Sequence, residues 1–281
     1  ARGFDATFSA PKSVSVLWAL TPDPWVRAEV LAAHDSAVDA ALGWFERHGA
    51  VTRRGTDGVF QVDTWGVTAA VFRQHTSRTA DPQLHTHAVI SAKVQDATGR
   101  GLSLDARFLK FQQRTIGWIY DAALRTELTN RLGISWTERD DSAADLTCVP
   151  AEVCDQFSKR TGQVDAKLAE LLRRWKGEHD GADPDARTIA GLERAAVLAS
   201  RPGKEHGTDS VTLRTAWEVE ARSIGFAPEQ LYPEDLACKE RPSLPVDDED
   251  LVDEVLLHVS EELSTWLRAD LARHLATILE P

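Results

Sequence analysis

HTSRTADPQLHTHAVISAKV, residues 75–94, holds three of the nine histidines of the chain: His75, His85 and His87. In its second half Leu84, Thr86, Ala88 and Ile90 alternate with His85, His87 and Val89. A period of two marks a β-strand with one face buried. Side chains at i and i+2 of a strand point the same way, so His85 and His87 project side by side. The segment before it also alternates, with Val67, Ala69, Val71, Arg73 and His75 sharing a face. The polar connection Thr76–Pro82 ends on a proline, which predicts a hairpin or two neighbouring strands. Adjacent strands would let His75 meet His85 and His87 over one face of the sheet.

Three imidazoles with no fourth protein ligand in view form the pattern of an open, catalytic metal site. Structural zinc sites are instead closed by four ligands and usually include cysteine. Imidazole suits several divalent ions, so the ligand type does not name the metal. The competing reading is a set of polar side chains on a solvated sheet face. The third histidine, at the end of the neighbouring strand, weighs against it.

Phe4, Ala6 and Phe8 alternate with Asp5, Thr7 and Ser9 in a further strand, stopped by Pro11. Pro11 also suits the first turn of a helix over PKSVSVLWAL. Residues 24–48 carry an apolar side at helical spacing and stop at Gly49. Val51–Asp63 predicts a hairpin turning at Thr56-Asp57-Gly58, and Leu104–Leu132 a helix stopped by Gly133. The first 135 residues therefore read as α+β: an antiparallel sheet of about five strands flanked by helices. Residues 150–235 follow as a mainly helical region. KERPSLPVDDEDLVDE reads as a linker, and Ser264-Thr265 as an N-cap between two last helices. The division is 1–149 for a catalytic core, 150–238 for a helical region, and 239–281 for a linker with the start of a further region.

The chain has 281 residues and a net charge of −12. The acidity is uneven, with net +2 over residues 1–135 and net −14 over residues 136–281. Charge alone therefore predicts no strong duplex binding. A single strand can be held by stacking as well as by charge, and the nine tryptophans are a supply of rings. Cys148, Cys154 and Cys238 have no Cys-x-x-Cys spacing, which fits a reduced, cytoplasmic protein. No signal peptide, membrane span or Walker-type loop is present in the sequence. The chain contains no methionine, and its first strand begins at Phe4, so it reads as a piece of a longer protein.

TSRTADPQLHTHAVI and FDATFSAPKSVSVLWAL together resemble the relaxases of conjugative plasmids, the TrwC/TraI type or MobF class of the HUH endonuclease superfamily. SLDARFLKFQQRTIGWIYDAALRTELTNRLGISW and FSKR extend the resemblance over roughly residues 1–235. The residue between the two histidines is usually hydrophobic in that superfamily, and here it is Thr86. The resemblance implies site- and strand-specific nicking of single-stranded origin-of-transfer DNA by metal-assisted transfer to a tyrosine. It implies one divalent ion (Mg, Mn or Zn) at His75, His85 and His87, with Asp5 as general base or as the orienter of a ligand histidine. Lys12, Arg78, Lys159 and Arg160 are the expected phosphate contacts. The implied partners are origin DNA, relaxosome accessory proteins and a type IV secretion coupling protein, in the cytoplasm of a bacterial donor cell. The region after residue 238 resembles the start of a helicase.

The sequence departs from the family at the nucleophile, which in these relaxases lies ahead of the FDATFSAPKS strand. Only Tyr120 and Tyr232 are present, so the nucleophile is expected in a segment upstream of this chain. A phosphodiesterase using metal-activated water and a DNA-binding module without chemistry are the alternatives.

Overall fold

The computed structural model describes residues 2–137, 144–201, 203, 210–231, 252, 255–260, 263, 265 and 268–278. The strands are β1 (Gly3–Ser9), β2 (Val51–Arg54), β3 (Phe60–Asp63), β4 (Ala69–Thr76), β5 (Pro82–Ser91), β6 (Lys93–Gln95) and β7 (Gly101–Ser103). Among the described residues, β1, β5 and β4 form a three-stranded sheet in that order, with both pairings antiparallel. The expected single sheet of about five strands is thus divided. β2–β3 and β6–β7 are separate two-stranded ribbons, tied in by single pairings of Thr52 with Leu104 and Trp65 with Gln95. Their strands of three or four residues are too short to extend the ladder of the central sheet.

The period of two in β5 is borne out. Leu84, Thr86, Ala88 and Ile90 are buried, while His85 and His87 are half-buried and Val89 is exposed. Each Leu or Ile fully buried in this row stabilises the fold by about 1.5–3 kcal/mol. In β1, Phe8 is buried on the same side and Asp5, Thr7 and Ser9 are exposed on the other.

Two long helices cover the apolar face. In α2 (Pro24–Trp44), Pro24 sits in the first turn and the Asp23 carboxylate accepts from the Trp25 amide at 2.7 Å. α3 (Ala106–Leu132) is capped by Asp105 and ends at Gly133, whose φ of 64° closes the helix in the left-handed region. α1 (Lys12–Leu20) is buried from Ser13 onward. It is pinned to the sheet by the Leu84 amide donating to Ser15 Oγ at 3.0 Å.

The second half is helical, as expected: α4 (Ala151–Gln156), α5 (Lys159–Glu178), α6 (Ala186–Ala199) and α7 (Ser210–Ser223). α7 lays the buried Trp217 edge-on to Trp18 of α1, with centroids 6.2 Å apart. One buried cluster runs from Phe8 to Leu231, so residues on both sides of position 149 share a core. A last helix, α8 (Arg268–Ile278), packs on α3, where Thr115 Oγ1 donates to the Ala269 carbonyl at 3.3 Å. Of the expected linker at 239–254 the structure describes only Val252, which is helical; the capping Ser264, Tyr232 and Cys238 also lie outside the described residues. Among the described residues no helix is long and apolar enough to cross a membrane.

Candidate metal centre

The two histidines of β5 stand together on the open face, ring centroids 5.3 Å apart and nearly perpendicular. Each is held through its Nδ1. His87 Nδ1 lies 3.0 and 3.1 Å from the two carboxylate oxygens of Asp5, and 3.1 Å from Thr7 Oγ1. A carboxylate only accepts, so the hydrogen of a neutral His87 sits on Nδ1. His85 Nδ1 lies 2.9 Å from the Gln83 carbonyl oxygen, another pure acceptor. Both rings therefore present Nε2 with a free lone pair. Burial holds the His85 imidazole below the ordinary 6.5, against the hydrogen bond to Gln83 and with the help of nearby His87, and so keeps it in the form that can coordinate.

β1 supplies Asp5 because the strand alternates: the register sets Asp5 against Val89 and Thr7 against His87. The carboxylate reaches diagonally to the ring one pair away. A ligand histidine whose other nitrogen donates to a carboxylate is the usual outer-shell arrangement of protein metal sites.

His75 does not join them. In the pairing of β4 with β5, Phe72 faces His87, Arg73 faces Thr86 and Gln74 faces His85, with a shift of register between Gln74 and Thr76. His75 has the parity of Arg73, which reaches Asp35 of α2 at 2.6 Å on the helix side of the sheet. Its ring stacks on Trp18 at 4.7 Å and 12°, and burial, then Arg73, lower its pKa. Among the described residues no three His, Cys, Asp or Glu side chains converge where a metal ion would sit. The expected three-histidine set is thus reduced to His85 and His87, because strand register decides the face.

The expected phosphate contacts are mostly engaged elsewhere. Lys12 Nζ donates to the Pro82 carbonyl at 2.8 Å, and its burial lowers its pKa. Lys159 Nζ reaches Asp81 at 2.9 Å and Glu220 at 2.6 Å, and its amide donates to Asp81 as well. Asp81 is 1% exposed and anchors α5 to the turn before β5. Arg160 donates to the Val197 and Ser200 carbonyls, tying α5 to the end of α6. Arg78 has no hydrogen bond or ion pair among the described residues and remains available.

Two features escaped the sequence reading, the buried His34 and the exposed Phe72. His34 of α2 is fully buried, with Nε2 2.7 Å from Thr86 Oγ1 and Nδ1 2.8 Å from Tyr120 Oη. The residue between the two site histidines is thereby fixed from beneath. Tyr120 is buried on the helix side, where its phenol pKa is raised well above 10.0, chiefly by burial. Phe72 is 56% exposed and directly opposite His87, an open ring beside the histidines.

The comparisons with known proteins agree on one family. The family model described as TrwC relaxase matches residues 1–224. The multifunctional conjugation protein TraI of Escherichia coli is 45% identical over 242 residues, which is 80% of this chain and 12% of that protein. A second TraI, from Escherichia coli strain K12, is 45% identical over 94 residues, 33% of this chain and 5% of that protein. The chain thus spans 12% or less of the length of these curated relatives. Among solved structures, the conjugative relaxase TrwC in a metal-free complex with oriT DNA is similar at a TM-score of 0.64 and 32% identity, over 80% of this chain and 74% of that one. Its copper-bound complex with oriT DNA is similar at 0.65 and 33%, over 80% and 72%.

Proposed function

Because this chain belongs to the TrwC relaxase family, we propose that it is the relaxase region of a conjugative transfer protein, nicking one strand of origin-of-transfer DNA. In that reaction a tyrosine oxygen attacks the scissile phosphorus and the 3′-hydroxyl leaves. The 5′ end stays on the tyrosine, so the strand can be rejoined without an outside energy source. The observation that carries the reading is the paired Nε2 edges of His85 and His87, each fixed by an acceptor at Nδ1. That donor set fits a divalent ion. Such an ion, held by His85 and His87, would supply Lewis-acid polarisation of the phosphoryl oxygens.

The chain's own residues have separate tasks. Asp5 orients His87 and holds its Nδ1 hydrogen; the contact at 3.0 Å supports this role over that of general base. Thr86, bonded to His34, keeps the strand in register under the two rings. Phe72 offers a stacking surface for a base next to the scissile phosphate, and Arg78 offers a charge at the turn before β5. Tyr120 is not the nucleophile: it is buried on the other side of the sheet and hydrogen-bonded to His34. Tyr120 is the one tyrosine among the described residues, so the attacking tyrosine must come from outside them; as a phenol near pKa 10 it needs roughly 4 kcal/mol to ionise at pH 7. On the same reading the partners are a single strand of origin DNA, relaxosome accessory proteins and a type IV coupling protein, in the donor cytoplasm.

The test is a nicking assay with a labelled single strand from the cognate origin and Mg2+ or Mn2+. The protein produced with the residues that precede Ala1 in its gene should give a covalent protein–DNA adduct on a denaturing gel. The 281-residue chain should bind the strand without attaching to it. Free 5′-phosphate product from the chain alone would point instead to a water nucleophile and overturn the proposal.

A further inference from the structure

Resting on the metal reading above, we infer that the third protein ligand of this centre is the side-chain amide of Gln74. Register carries the inference. Gln74 is paired with His85, and Phe72 with His87. Cross-strand partners stand on one face with Cβ atoms roughly 5 Å apart, so Gln74 is the side chain of β4 beside the His85 ring. It is exposed, and its amide has no hydrogen-bond partner among the described residues. Its carbonyl oxygen is a neutral donor on a flexible stem, able to reach a cation held by the two Nε2 atoms.

His75 cannot take this place by a slip of the strand. A one-residue shift moves every side chain of β4 to the other face. It would bring Arg73 onto the open face and break its pair with Asp35 at 2.6 Å, and it would lift His75 from Trp18, where the rings lie 4.7 Å apart. Phe72 would be driven into the helix side in exchange. The bulge between Gln74 and Thr76 takes up the mismatch before the turn instead, and leaves His75 on Trp18.

Two imidazoles and an amide oxygen make a harder and weaker site than three imidazoles. Zinc and copper gain least from the exchange of nitrogen for oxygen, and manganese and magnesium tolerate it best. The chain should therefore hold Zn2+ only modestly, and converting Gln74 to histidine should complete a three-imidazole set.

The experiment is a Zn2+ titration of the 281-residue chain by competition with a chromophoric chelator, repeated with Mn2+. Gln74→His should tighten Zn2+ by on the order of tenfold or more, with a smaller change for Mn2+. Gln74→Ala should weaken both ions, and His75→Phe, which keeps a ring on Trp18, should leave both unchanged. Melting curves of the three variants confirm that each is folded. Loss of Zn2+ in His75→Phe, or binding that depends on His85 and His87 yet ignores Gln74, overturns this inference and leaves the metal reading standing. Failure of the unaltered chain to bind either ion, with His85→Ala and His87→Ala no different, overturns both.

Discussion

His34 should make the stability of this protein fall below neutral pH, by an amount its surroundings define. The ring is fully buried between α2 and β5, and its pKa is pushed down to about 4 from 6.5. Burial is the leading cause. Asp35 opposes it, and Arg73, His85 and His75 add to it. Missing partners are not the cause, because the hydroxyls of Thr86 and Tyr120 could both accept from an imidazolium. The folded state thus favours the neutral ring, and the unfolded state takes up the proton first. The contribution is complete above about pH 6.5, erodes as the pH falls toward 4, and is constant below that. At pH 5 the unfolded chain gains about thirtyfold over the folded one from this single site, or about 2 kcal/mol. Urea unfolding of the unaltered protein and of His34→Gln at pH 7.5 and pH 5.0 measures it. The unaltered protein should lose about 2 kcal/mol more than the variant between the two pH values. His75 and His85 are present in both proteins, so their contribution cancels in the comparison. Equal losses in the two proteins, within about 0.5 kcal/mol, would refute the reasoning.

Asp5→Asn should weaken divalent-metal binding by about 10- to 100-fold with little change in melting temperature, since the lost charge steadies a ligand rather than the core; calorimetric titration with Mn2+ checks it. Lys159→Ala should destabilise the fold by about 1–3 kcal/mol by leaving the buried Asp81 carboxylate short of a partner. The same variant should leave the salt dependence of single-strand binding unchanged, whereas loss of a phosphate contact would lower the slope of log K against log salt by about 0.7. Phe72→Ala should cost about 1–3 kcal/mol in affinity for a single strand, read by fluorescence anisotropy, with stability untouched because the ring is already exposed.

Much of this was legible in the sequence, because the decisive signals are local. Alternation in 84–90 assigns His85 and His87 to one face and Leu84, Thr86, Ala88 and Ile90 to the other, and the burial of the strand follows it. Alternation in 4–9 likewise puts Asp5 on the open face. The helix stop at Gly133, the end at Gly49 of the π-helical turn Phe45–Gly49 that continues α2, and the turn at Thr56–Gly58 were readable from residue type. What could not be read was the offset between two strands. Whether Gln74 or His75 stands beside His85 depends on a register shift at the end of β4, and no residue of either strand announces it. The lysine and arginine of FSKR are held within the fold, which was hidden for a related reason. Their partners lie 78 positions away at Asp81 and 40 positions away at Ser200, and sequence gives no sign of such pairings. His34 gave no signal, since a single histidine in an apolar helix face is indistinguishable from any other polar intrusion.

The turn that feeds β5 is fastened by side chains from much later in the chain. Lys159 grips Asp81, and Trp217 Nε1 donates to the Ala80 carbonyl at 2.8 Å. Asp81 and His85 are four positions apart. A displacement of α5 or α7 would therefore be felt at the histidine edge through that short tether.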